Sequence, residues 1–111
     1  LAAVPFMTPI SITPTNSSAN GSYTWEIDKE SRNVVLNIAL EKGQTVIMGV
    51  SFSSESGVID MGVMKGTAAR YVTLEANGMH NFEIKEDGTY KLYVENKSNE
   101  KIIVDFTYFV L

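Results

Sequence analysis

Cysteine is absent from this chain. No disulfide framework can staple the fold, and thiolate metal sites and cysteine nucleophiles are excluded. Histidine and tryptophan occur once each, as His80 and Trp25. A Ser-His-acid triad would have to use His80, and no Gly-x-Ser-x-Gly elbow accompanies it. A histidine pair for a metal is ruled out, and no Asp-x-Asp-x-Asp-Gly loop is present. Proline is confined to Pro5, Pro9 and Pro14. The first 25 residues carry no charge, yet those prolines and the interleaved Ser, Thr and Asn break up any membrane span. No basic start with an apolar middle marks a signal peptide within them. Basic runs are missing too. Nine Lys and Arg stand against thirteen Asp and Glu, a net charge of −4. Such a chain offers no electrostatic footprint for a phosphate backbone, so no nucleic acid partner is expected.

What the chain does have is strict alternation. Phe82, Ile84, Tyr90, Leu92, Val94, Ile102, Val104 and Phe106 share one parity. A period of two reads as strands with one apolar and one polar face. Tyr23, Trp25 and Ile27 make an earlier half-buried strand, with Trp25 expected in the core. Val34, Leu36, Ile38 and Leu40 form the next inward row, and Val46, Met48, Val50 and Phe52 the one after. Lys42-Gly43 between them predicts a hairpin over residues 33–53. Ile59, Met61 and Val63 follow, closed by Lys65-Gly66, then Val72 and Leu74, ended by Asn77-Gly78. Asp87-Gly88 is a strong turn signal before Tyr90. Residues 4–13 read as an edge strand or extended lead-in, because proline removes a ladder donor. Gly57 and Gly62 argue against a helix over residues 55–64. At 111 residues the chain is one domain, able to bury roughly 60–70% of its unfolded surface. The expectation is an all-β antiparallel sandwich of eight to nine strands with jelly-roll-like connections. Residues 1–22 would be a lead-in with a linker-like loop, and residues 23–111 the sandwich.

Three blocks resemble a known family. Trp25-x-Ile27, residues 57–64 (GVIDMGVM), and Phe82-Glu83-Ile84 with residues 88–96 (GTYKLYVEN) are similar to the bacterial pre-peptidase C-terminal domains. The likeness extends more distantly to GOLD-type and collagen-binding β-sandwiches, and the blocks span about residues 22–110. In that family the last block would be a closing hairpin. The resemblance implies an extracellular or cell-surface, non-catalytic module, often attached to a secreted hydrolase. Some members bind calcium, glycan or protein fibres. The calcium-binding members carry dense acids near their first strand, where residues 1–25 have none, so no cofactor is expected here.

Individual residues narrow the function further. His80 shares parity with Phe82 and Ile84, which favours a structural role. A carboxylate pair for glycoside hydrolysis could be drawn from Glu55, Asp60 and Glu75, as from any acid-rich chain. Asp28, Glu30, Glu86 and Asp87 read as solvated turn residues. Asp60, mid-strand and facing away from the core toward solvent, is the one weak metal candidate. Tyr71 and Tyr93 fall out of phase with the core rows, with Lys91 and Glu95 beside Tyr93. An exposed ring next to hydrogen-bonding groups can stack on a sugar or a peptide, and these four residues are the candidate ligand-binding set. The alternative for the rings is cross-strand packing. Ile103, Phe109 and Leu111 make the last strand apolar on its second face, a candidate partner interface. Its cover would be residues 4–12, another subunit or a neighbouring domain. The expected function is a non-catalytic accessory module of a bacterial exported protein, recognising an extracellular protein or polysaccharide through a sheet face. The alternatives are a carbohydrate-binding module and, behind it, a small hydrolase.

Overall fold

A computed structural model describes residues 20–111, apart from residues 53 and 55 and the side chain of Leu36. The expected strand over residues 4–13 and the acid Glu55 lie outside the described residues. The elements are β1 (Asn20–Ile27), β2 (Arg32–Leu40), β3 (Thr45–Phe52), β4 (Ile59–Lys65), β5 (Ala68–Leu74), β6 (Gly78–Glu83), β7 (Gly88–Asn96) and β8 (Ile102–Val110). They form two four-stranded antiparallel sheets, ordered β1-β8-β3-β6 and β2-β7-β4-β5. That order is a jelly roll, so the expected class and connections hold.

The alternating rows explain the core. Ile102, Val104, Phe106, Tyr108 and Val110 of β8 face Leu92 and Val94 of β7 and Met61 and Val63 of β4 across the sandwich, and all are buried. Each fully buried Ile, Leu or Phe stabilises the fold by about 1.5–3 kcal/mol. An exposed ion pair such as Lys85–Glu83 contributes about 0–1 kcal/mol. The inner faces, not the surface charges, therefore hold the sheets together. Trp25 is in phase as expected but only half-buried. It stacks on Phe106 at 5.0 Å and on Tyr23 at 5.5 Å along the β1 edge.

Two expectations need correction. Residues 33–53 are not a hairpin: β2 pairs with β7, while β3 pairs with β6 and β8 in the other sheet. Likewise β6 and β7 do not form a closing hairpin, because they too belong to different sheets. Among the described residues only β4 and β5 are joined as a hairpin, around Gly66 at φ 61°. The other turns are arches. The Lys42-Gly43 turn and the Asp87-Gly88 turn lie against each other, with the Lys42 N–H donating to Asp87 Oδ1 at 2.8 Å and the Gly43 N–H to the Ile84 carbonyl at 2.9 Å.

The inward row of β2 is also different. The β2–β7 register shifts between Val35 and Ile38, where Asn37 takes φ 61°. One extra residue is accommodated, so the parity changes. Val35, Ile38 and Leu40 are buried, while Val34 turns to the outer face.

Candidate functional site

The outer face of the second sheet gathers most of the residues singled out from the sequence. The registers of β2, β7, β4 and β5 place Arg32, Glu95, Asp60 and Thr73 in one row across the sheet. The next row is Val34, Tyr93, Gly62 and Tyr71, and beyond it Lys91, Met64 and Ala69 stand together. Tyr71, Tyr93, Lys91, Glu95 and Asp60 thus share one face.

Their exposure differs from expectation. Tyr71 is 55% exposed, but Tyr93 is only 2% exposed. The Arg32 guanidinium lies over the Tyr93 ring, 4.7 Å from its centre. It is held there by Glu95, whose Oε1 accepts from Arg32 Nε at 3.1 Å and from Nη2 at 2.7 Å. Tyr93 is therefore not a free stacking ring. The two tyrosines form no coplanar exposed platform, so a polysaccharide partner finds no support on this face. Cross-strand packing accounts for Tyr93.

The electrostatics follow from the same contacts. Burial pushes the Tyr93 phenol above its ordinary range, and the Arg32 charge only partly opposes this. Burial also pushes Glu95 upward, but the hydrogen bond and charge of Arg32, with Lys97 at 3.4 Å, outweigh it and hold the carboxyl below its usual range. Asp60 is on the outer face but 8% exposed rather than open to solvent, and Thr73 Oγ1 donates to its Oδ1 at 2.7 Å. The neighbouring β5 strand covers it. This face is a lattice of mutually satisfied groups, from which Tyr71 and Lys91 stand out.

The residues considered for catalysis are scattered. His80 lies exposed on the edge strand β6, with its ring edge-on to Phe82 at 4.7 Å. Glu75 is in the turn between β5 and β6, and Asp60 is engaged by Thr73. Among the described residues, no group of three or more His, Asp or Glu side chains gathers as a metal site. Nor is any helix long and apolar enough to cross a membrane among them.

The outer face of the first sheet is chemically different. Its rows run Glu26–Ile103, Thr24–Asp105–Ser51, Ser22–Thr107–Gly49–Met79, Asn20–Phe109–Ile47–Asn81 and, at the end, Thr45 beside Leu111 and Glu83. The expected interface residues Ile103, Phe109 and Leu111 are all exposed here, Phe109 by 40%. Met79, 72% exposed, joins them. Its Cγ lies where a Cβ on Gly49 would come within 3.3 Å, so the side chain leans across that glycine toward Thr107. The centre of this face is Phe109, Ile47 and Met79 set among Ser, Thr, Asn and Gly. Asp105, accepting from Thr24 Oγ1 at 2.7 Å, is its inner carboxylate. The charged residues at its ends are already paired, Glu26 with Lys101 at 4.0 Å and Glu83 with Lys85 at 3.1 Å. Sequence reasoning missed Met79 and Ile47. Each is a lone out-of-phase residue in its strand, and only the register of three strands brings them beside Phe109.

No family model matches the chain, so the likeness to pre-peptidase C-terminal domains rests on strand pattern alone. No curated protein matches it by sequence. Solved structures do match in fold. One is Aeromonas hydrophila PliG, a periplasmic lysozyme inhibitor of g-type lysozyme, with TM-score 0.66 at 12% identity, over 90% of this chain and 95% of that one. A mutant of the Escherichia coli PliG inhibitor gives TM-score 0.59 at 19% identity, over 88% and 92% of the two chains. The Yersinia pseudotuberculosis-derived mitogen gives TM-score 0.57 at 11% identity, over 83% and 86%. At these identities the likeness establishes a shared β-sandwich fold.

Proposed function

We propose that this chain is a non-catalytic module of a bacterial exported protein, working outside the cytoplasm, and that its ligand is the surface of another protein. The observation that carries this reading is the outer face of the first sheet. Its centre is apolar and nearly uncharged, with an aromatic ring and a methionine exposed together, and its charges stand toward the ends. Protein interfaces have that composition, with charge depleted at the core and a polar rim. A net charge of −4 and the carboxylate of Asp105, between that centre and the Glu26 end of the face, favour a cationic partner surface. The periplasmic lysozyme inhibitors that share the fold supply the partner class to test first, a g-type lysozyme.

Calorimetric titration of the chain into purified g-type lysozyme, paired with a cell-wall lysis assay, tests this. Binding is expected, with slower lysis. Phe109→Asp should weaken it by about tenfold or more, as for a central interface anchor. Phe109 projects from the outer face, so the variant should keep the wild-type circular dichroism. No heat of binding and an undiminished lysis rate at excess chain would reject this partner. Binding that Phe109→Asp leaves intact would reject the face.

A further inference from the structure

Among the described residues the second sheet ends in the edge strands β2 and β5, and the β4–β5 register runs without a break from Ile59↔Leu74 to Lys65↔Ala68. In a two-residue hairpin the pair beside the turn exchanges both backbone hydrogen bonds. Ala68, Arg70, Val72 and Leu74 therefore turn their N–H and C=O groups toward β4. Ala69, Tyr71 and Thr73 turn theirs outward, where no described residue meets them.

Sheet edges are normally blunted by bulges, prolines, charges or brevity. The edge strand β2 has its bulge at residues 36 and 37. The edge strand β6 is short, and its Glu83 carbonyl is taken by Arg70 Nη2 at 2.6 Å. β5 has no proline and no bulge. Its one charge, Arg70, is drawn across the flank to β6 instead of guarding its own edge.

We propose that β5 pairs with β5 of a second copy, antiparallel about a two-fold axis at Tyr71, so that the second sheets of two copies become one. The strand is self-complementary in that register. Tyr71 meets the partner's Tyr71, Ala69 meets the partner's Thr73, and Arg70 meets the partner's Val72. Every outward amide and carbonyl from Ala69 to Thr73 finds its mate, and no like charges stand opposite. A two-fold contact must satisfy that condition along its whole length. The exposed Tyr71 ring would lie beside its symmetry mate on the outer face.

Sedimentation equilibrium over a wide range of concentration reads the outcome. The wild-type chain is expected to reach twice its 12.2 kDa mass. Tyr71→Pro should keep the fold, because an edge strand tolerates proline where the N–H faces solvent, and should remain monomeric. If proline disturbs the strand, Tyr71→Lys serves, because it sets two cations opposite each other across the axis. It too should be monomeric, with unchanged circular dichroism. A wild-type chain that stays monomeric at high concentration overturns the proposal, including one whose β5 pairs only with a foreign strand. So does a dimer that folded Tyr71→Pro or Tyr71→Lys leaves intact. The contact is separate from the face bearing Phe109, so lysozyme binding and self-association can each fail alone.

Discussion

Asn96 is wholly buried at the end of β7, and its side chain ties the distant end of β1 to the turn between β7 and β8. Its Nδ2 donates to the carbonyls of Ile27 at 3.0 Å, Asp28 at 3.2 Å and Glu100 at 2.7 Å, while its Oδ1 accepts from the Ser98 N–H at 2.8 Å. Two amide protons serve three acceptors, so at least one is shared. Ser98 in turn holds the chain before β4, with its Oγ accepting from the Val58 N–H at 2.8 Å. Removing the amide orphans buried groups on both sides, and each such group costs about 1–3 kcal/mol. Asn96→Ala should therefore lower stability by about 2–3 kcal/mol. Asn96→Asp should lose more, since a carboxylate would face three carbonyl oxygens. Urea unfolding measures both, and a midpoint for Asn96→Ala close to wild type would show that this end does not depend on the amide. Nothing in the local sequence announced this role. Asn96-Lys97-Ser98 reads as an ordinary polar turn, and its importance comes from β1 arriving beside it. Tyr93 is similar. Its parity put it correctly on the outer face, but its burial depends on Arg32, which is remote in sequence and adjacent only through the β2–β7 register.

The strands themselves were largely legible, because period-two alternation follows directly from the pleat. Their partners were not. A turn such as Lys42-Gly43 or Asp87-Gly88 has the same residue chemistry whether it returns the chain beside itself or carries it to the facing sheet. The choice is made by long-range packing of two apolar faces. In β2 even the parity was hidden. Residues 34–40 read VVLNIAL, apolar at both parities, so alternation cannot show where one residue is extra. The backbone marks the place at Asn37, whose left-handed φ of 61° asparagine tolerates and a β-branched residue does not. The bulge lets Val35 face inward together with Ile38 and Leu40, whereas an unbroken strand would turn one set to solvent. Asn37→Gly should thus be nearly neutral. Asn37→Val should cost about 1–3 kcal/mol, the usual penalty for a strained backbone region. Thermal unfolding of the two variants side by side separates these outcomes, and equal midpoints would mean the bulge can move or straighten at no cost.

Across the whole molecule, tyrosine burial links stability to alkaline pH. Tyr23 and Tyr108 sit at the β1–β8 edge of the core, and Tyr93 lies under Arg32 on the opposite sheet. Burial raises the phenol pKa of all three; the neighbouring Tyr108 hydroxyl lowers that of Tyr23 in part, and Tyr23 raises that of Tyr108 further. In the unfolded chain a phenol releases its proton near pH ~10. Above that pH the unfolded state binds fewer protons than the fold, so the favourable contribution of these neutral phenols, complete below pH ~10, declines as pH rises toward their folded values. The thermal midpoint should be steady through neutral pH and fall beyond pH ~10. Lysine deprotonation in the same range adds negative charge to a chain that is already acidic, and that also destabilises it. Site-resolved NMR of the tyrosine ring carbons separates the two effects. The signals of Tyr23, Tyr93 and Tyr108 should stay neutral past pH ~10 while the fold persists, and should ionise together with unfolding. Were they to titrate near pH 10 in a chain that remains folded, the buried phenols would carry no part of the alkaline loss, and charge repulsion alone would account for it.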